Sequence, residues 1–188
     1  MIRLFVGLRV PEPLCMSLSG LCGGVPGARW VRPENFHLTL RFIGEVAEGV
    51  AEDIDGALAA ISAPSFAVDI AGVGQFGKGS KARALWAGIA ASTALNHLQA
   101  KVETAIVDTG LPDEQRKFTP HITLARLKNA PADRVERFVV ENAAFRAGPM
   151  PVDRFTLFSS FLSSSGAAYT PEVDYPLISG DIQSLETN

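Results

Sequence analysis

The chain has 188 residues, 47% hydrophobic and 20% charged, the balance of a globular protein with enough apolar surface for a core. Its net charge of −3 excludes a global basic footprint for duplex DNA or bulk RNA, so a nucleic-acid partner is expected to be met locally, at an end or a single nucleotide. The length predicts one compact unit, a single two-lobed domain over residues 1–188. No run approaches the ~20 apolar residues of a membrane span, and the N-terminus lacks the pattern of a cleaved leader. A cytoplasmic protein without membrane association is expected.

In chain order, residues 2–8 predict a buried strand. Pro11 and Pro13 open a helix to about Leu21. Cys15 and Cys22 fall in it, roughly 10 Å apart along the axis, too far for an unstrained disulfide and without C-x-x-C spacing for zinc. Residues 23–27 form a glycine-rich loop. Residues 36–43 alternate polar and apolar, a half-buried strand that Gly44 ends. Residues 47–61 predict a helix with acids in its first turn. Phe66 to Val73 and Ala84 to Ala90 predict two strands joined by a glycine-rich turn that carries Lys78, Lys81 and Arg83, cations suited to an RNA backbone. This turn opens no helix and lacks P-loop spacing.

Leu95, Leu98, Val102 and Ile106 recur at helical spacing over 93–107, with Thr93 as the expected N-cap and His97 on the solvated side. Residues 120–127 predict a short strand, and Pro131 opens a helix to about Val140. Val152–Phe161 and Ala168–Leu177 predict a terminal strand pair joined across a serine-rich turn, followed by a polar tail. The succession predicts an α+β fold, with antiparallel sheets and flanking helices.

One internal echo stands out: His-Leu-Thr-Leu at 37–40 and His-Ile-Thr-Leu at 121–124. Phe36 and Phe118 precede the two copies, which hold two of the three histidines. On a strand, His and Thr at i and i+2 share a face while the intervening Leu or Ile faces the core. Two such strands would bring two imidazoles and two hydroxyls around one site. That set suits phosphodiester cleavage. A neutral imidazole takes a proton from water, a protonated one supplies a proton to the leaving oxygen, and hydroxyls hold phosphate oxygens. An arginine nearby would add a charge-assisted clamp. Strict alternation puts Arg41 in phase with His37 and Thr39, and puts Arg126 out of phase with His121 and Thr123 unless the strand ends or bulges. Phe5, Phe36 and Trp86 are candidate base-stacking groups, with core packing the expected role.

Residues 35–44 (Asn-Phe-His-Leu-Thr-Leu-Arg-Phe-Ile-Gly) and 118–126 (Phe-Thr-Pro-His-Ile-Thr-Leu-Ala-Arg) resemble the paired H-x-T-x motifs of the 2H phosphoesterase superfamily. The chain is similar to the RNA 2′,3′-cyclic phosphodiesterases, also called 2′-5′ RNA ligases. The likeness extends to residues 3–6, Trp30, residues 84–86, residues 157–160, Gly166 and residues 169–171. It implies a bilobal α+β fold with the motifs facing a central cleft. It also implies hydrolysis of RNA 2′,3′-cyclic phosphate ends to 2′-phosphates without metal or cofactor. By position, His37 and His121 would be the acid and base, in an order left open, with His37 as acid preferred. Thr39, Thr123 and Arg126 would bind phosphate. The expected partners are RNA ends or nucleotides with a cyclic phosphate, met by a monomer. Two alternatives stand beside this: 2′-5′ ligation at the same site, and a non-catalytic nucleotide- or RNA-end-binding module.

Overall fold

A computed structural model describes residues 1–163 and 166–179. Among them nine strands and four helices alternate: β1 (Ile2–Arg9), α1 (Glu12–Ser19), β2 (Ala28–Trp30), β3 (His37–Val46), α2 (Glu48–Ala59), β4 (Phe66–Phe76), β5 (Ala84–Ile89), α3 (Thr93–Asp108), β6 (His121–Leu127), α4 (Ala132–Glu141), β7 (Arg146–Val152), β8 (Arg154–Ser163) and β9 (Gly166–Pro176). The strands form one sheet in the order β7-β4-β5-β6-β3-β1-β8-β9, with β2 added to β6. The named pairs are antiparallel, so the fold is α+β, as the alternating and hairpin-like segments predict.

The two halves of this sheet meet at a narrow seam. β3 and β6 share a single paired position, Leu38 with Ile122. Each half is otherwise tightly paired: β3 to β1 over eight positions, and β6 to β5 over five. The seam is where the two tetrapeptides meet. Beneath it lies one contiguous core containing Leu38, Leu40, Ile122 and Leu124, capped by Ile54 and Leu58 of α2 and by Leu95, Leu98, Val102 and Ile106 of α3. The apolar stripe of α3 is the one its sequence spacing predicts.

Several boundaries differ from expectation. Gly44 does not end β3. It sits inside the strand at φ +93°, where a bulge separates Leu4↔Gly44 from Phe5↔Phe42. Ser92, not Thr93, caps α3, its hydroxyl accepting from the Leu95 amide at 3.2 Å. α1 stops at Ser19, so Cys22 lies beyond the helix, and both cysteines are free thiols. β2 and β7 carry no sequence signal of their own: β2 is three residues long, and β7 holds Pro149 and Pro151 on an edge strand, where a missing amide is tolerated. The serine-rich turn at 164–165 and the tail from 180 onward lie outside the described residues. No helix among the described residues is long and apolar enough to cross a membrane.

Candidate active site

The same bulge occurs in both copies of the tetrapeptide. Between β1 and β3 the register steps from Gly7↔Thr39 to Val6↔Arg41, leaving Leu40 extra. Between β5 and β6 it steps from Trp86↔Thr123 to Leu85↔Ala125, leaving Leu124 extra. A bulge places two consecutive residues on one side of the strand and then resumes alternation, one residue out of phase. Leu40 with Arg41, and Leu124 with Ala125, are accordingly buried together. The next residues, Phe42 and Arg126, are exposed on the face that carries His and Thr. The carbonyl of the extra residue Leu124 accepts from the Val31 amide at 2.8 Å, so the chain leaving β2 satisfies the group the bulge frees.

This reverses the phase expected for the two arginines. Arg126 joins the face of His121 and Thr123, close enough for its charge to disfavour protonation of His37. Arg41 turns inward and is 8% exposed. It donates to the Pro112 carbonyl and lies 3.2 Å from Glu103 of α3 and 3.5 Å from Glu114. The geometric case for Arg41 at a phosphate is therefore corrected: it ties α3 to the loop that leads to His121. Removing one partner of a mostly buried ion pair strands the other. With both carboxylates partly exposed, Arg41→Met is expected to cost about 2–3 kcal/mol in urea unfolding. A loss below about 0.5 kcal/mol, the size of an ordinary surface change, would show that no such tie exists.

The two histidines are held alike. The Nδ1 of His37 lies 2.7 Å from the Asn35 carbonyl, and that of His121 lies 2.7 Å from the Thr119 carbonyl. A carbonyl only accepts, so each ring keeps its proton on Nδ1 and turns Nε2 outward as the free lone pair. Extending the Leu38↔Ile122 register sets His37 opposite Thr123 and Thr39 opposite His121. Neither threonine hydroxyl has a partner among the described residues, and both threonines are part-exposed. Burial pushes the His37 pKa below its ordinary value despite the Asn35 hydrogen bond, and the charges of His121 and Arg126 push it further. Burial likewise lowers His121, against the Thr119 hydrogen bond. Both imidazoles therefore favour the neutral form in the free protein.

Aromatic rings hold each imidazole in place. Phe5 and Tyr169 lie 4.8 and 4.9 Å from His37, and Phe76 lies 4.8 Å from His121, with Trp86 behind it at 6.3 Å. Trp86 lies across Gly74 on β4, where a Cβ would come within 2.3 Å of the indole. Gly7 is similarly obligatory, since a Cβ there would meet the Leu38 carbonyl at 2.8 Å. Phe36 is buried in the core as expected, whereas Phe5, equally buried, packs on His37, Phe158 and Tyr169, and Trp86 is half-buried. His97 is exposed on α3.

The family model described as the 2'-5' RNA ligase superfamily matches residues 26–160, which include both tetrapeptides. The chain belongs to the 2'-5' RNA ligase superfamily. Several relatives bear the name RNA 2',3'-cyclic phosphodiesterase, two of them 36% identical over most of their length. That of Aeropyrum pernix is 36% identical over 150 residues, spanning 78% of this chain and 84% of the relative. That of Thermotoga maritima is 36% identical over 174 residues, spanning 89% and 91%. Among solved structures, Escherichia coli LigT complexed with 3'-AMP superposes with a TM-score of 0.74 at 25% identity, over 94% of this chain and 98% of that one.

In this member of the superfamily, a cavity of about 440 Å³ opens beside His37, lined among others by Arg9, Glu12, Glu34, Asn35 and Tyr169. Its volume lies in the range of small-molecule sites. Sequence reasoning did not find it, because its wall combines β1, α1, the turn before β3, β8 and β9. The signals available were Asn35, Phe158 and Tyr169, which belong to the segments that carry the family resemblance. Among the described residues no group of three or more His, Cys, Asp or Glu side chains is placed to hold a metal ion.

Proposed function

We propose that this protein hydrolyses RNA 2′,3′-cyclic phosphate ends to 2′-phosphomonoesters, with His37 and His121 as a paired acid and base. The observation that carries this reading is the matched pair of imidazoles on the adjoining strands β3 and β6, each pinned through Nδ1 with Nε2 free. The names of the Aeropyrum and Thermotoga relatives and the nucleotide bound to LigT support it.

In the reaction, water attacks the phosphorus of the cyclic ester and the bond from phosphorus to O3′ breaks. One neutral imidazole takes the proton of the attacking water. The other, protonated, delivers its proton to O3′ as that oxygen leaves. We assign His37 as the acid and His121 as the base. The hydroxyls of Thr39 and Thr123 donate to the non-bridging oxygens, and the Arg126 guanidinium takes up the charge that builds on them. These roles require no metal or cofactor. Both motifs lie in one chain, so a monomer suffices. The two free thiols fit a reducing cytoplasm.

Hydrolysis of a short RNA ending in a 2′,3′-cyclic phosphate, with chelator in excess, tests this. The expected product is a 2′-phosphate, formed at a rate the chelator does not change. A 3′-phosphate product would overturn the assignment of the bond that breaks. Binding of a 2′-phosphonucleotide without turnover would point instead to a binding module. The family's name favours one second reading. A 5′-hydroxyl in place of water makes the same proton transfers yield a 2′-5′ linkage. Product analysis with a 5′-hydroxyl acceptor present separates ligation from hydrolysis.

A further inference from the structure

Arg29 and Arg126 form a pair that the fold should avoid unless an anion lies between or beside them. They are direct register partners on β2 and β6. Opposed residues of an antiparallel pair share a face, with Cβ atoms about 5 Å apart, and like charges so placed repel. The next pair along, Trp30↔Ala125, faces the other way, with Trp30 packed 5.6 Å from Phe138 of α4 and Ala125 fully buried. That anchor and the Val31-to-Leu124 hydrogen bond fix the register, so Arg29 is held on the same face as Arg126. Both arginines are exposed, and neither has a carboxylate within ion-pair distance among the described residues. Arg9, Arg41, Arg116 and Arg154 each have one. Two uncompensated guanidiniums side by side, one of them within electrostatic reach of His37, make a site for two neighbouring anions.

We infer that Arg29 binds the phosphate on the 5′ side of the terminal nucleotide, while Arg126 serves the cyclic phosphate. The inference rests on the cyclic-phosphodiesterase reading and extends it. The site is built for the end of an RNA strand, and a free cyclic nucleotide, which has a single phosphate, leaves Arg29 unused. Arg29 is then a specificity residue and makes no contact with the reacting atoms. It also supplies, at one place, the attraction for an RNA backbone that the acidic chain lacks overall.

The test compares kcat/KM for adenosine 2′,3′-cyclic phosphate with that for the dinucleotide ApA carrying the same cyclic end, in wild type and Arg29→Ala. The ratio of dinucleotide to mononucleoside is expected to fall about tenfold in the variant, the loss typical of one charge-assisted contact. The log–log salt dependence on the dinucleotide should flatten by about 0.7, one phosphate contact on a single strand. A methylphosphonate at the internal linkage should lower the wild-type ratio equally and cause no further loss in Arg29→Ala. This arm uses the wild-type fold, so it stands even if the variant is unstable. An unchanged ratio in the variant, or full wild-type preference for the methylphosphonate, overturns the second-phosphate site alone. A wild-type protein inert toward both substrates overturns the activity reading, and this one with it.

Discussion

His37→Ala and His121→Ala are each expected to lower kcat/KM on a cyclic-phosphate RNA end by about 10³- to 10⁴-fold, the upper part of the range for a positioned acid or base. The double variant should be little worse than either single one. Each imidazole works only while the other performs the complementary transfer, so the losses do not add. The roles separate on a substrate whose 3′-oxygen is replaced by sulfur. A thiolate leaves without a proton, so this substrate should rescue the variant lacking the acid and not the one lacking the base. Rescue of His37→Ala supports the assignment made above, and rescue of His121→Ala reverses it.

The pH profile follows from the same environment. Burial lowers both imidazole pKa values in the free protein, and the working state holds one proton between them. Because kcat/KM reports the free enzyme, its optimum lies between two lowered values, on the acid side of the ordinary histidine pKa of about 6.5. Bound phosphate is an anion beside both rings and raises them. The kcat optimum should therefore sit at higher pH than that of kcat/KM. A kcat/KM optimum well above neutrality would overturn the lowering of the two imidazoles by burial, and full activity in His121→Ala would exclude the paired mechanism.

Arg126→Ala is expected to show the second-largest effect, a loss of about 10²- to 10³-fold in kcat, comparable with deleting a preorganised donor to developing negative charge. Arg126→Lys should recover part of it, since a point charge replaces the charge of the guanidinium without its planar fork. Arg126 also raises the cost of protonating His37. Its removal should therefore move the kcat/KM profile toward higher pH, which a purely structural residue would not do. If Arg126→Ala retains kcat and weakens only KM, the guanidinium binds the ground state alone.

The candidate site was legible in the residues because its units are local. A His and a Thr two apart on a strand, repeated once, carry their own geometry, and the structure brings the two copies together at the only position where β3 and β6 pair. The long elements were legible for the same reason: the stripe of α3 and the alternation of β3 and β6 are periodic. What lacked a periodic signal was missed. β2 is too short to show alternation, β7 carries Pro149 and Pro151 and no strand signal of its own, and Gly44 passes for a stop although the strand runs on to Val46.

The arginines mark the boundary between the two kinds of information. By itself the sequence determined that His37, Thr39, His121 and Thr123 are candidates, since alternation within one strand needs no knowledge of its neighbours. It could not decide between Arg41 and Arg126. Their faces depend on extra residues at Leu40 and Leu124, and a bulge exists only relative to a partner strand. One residue of slip sends Arg41 to Glu103 in the interior and brings Arg126 out beside the histidines. Arg29 was beyond sequence reasoning altogether. Its place opposite Arg126 is set by a cross-strand register between segments far apart in the chain, and only the folded sheet makes those two charges neighbours.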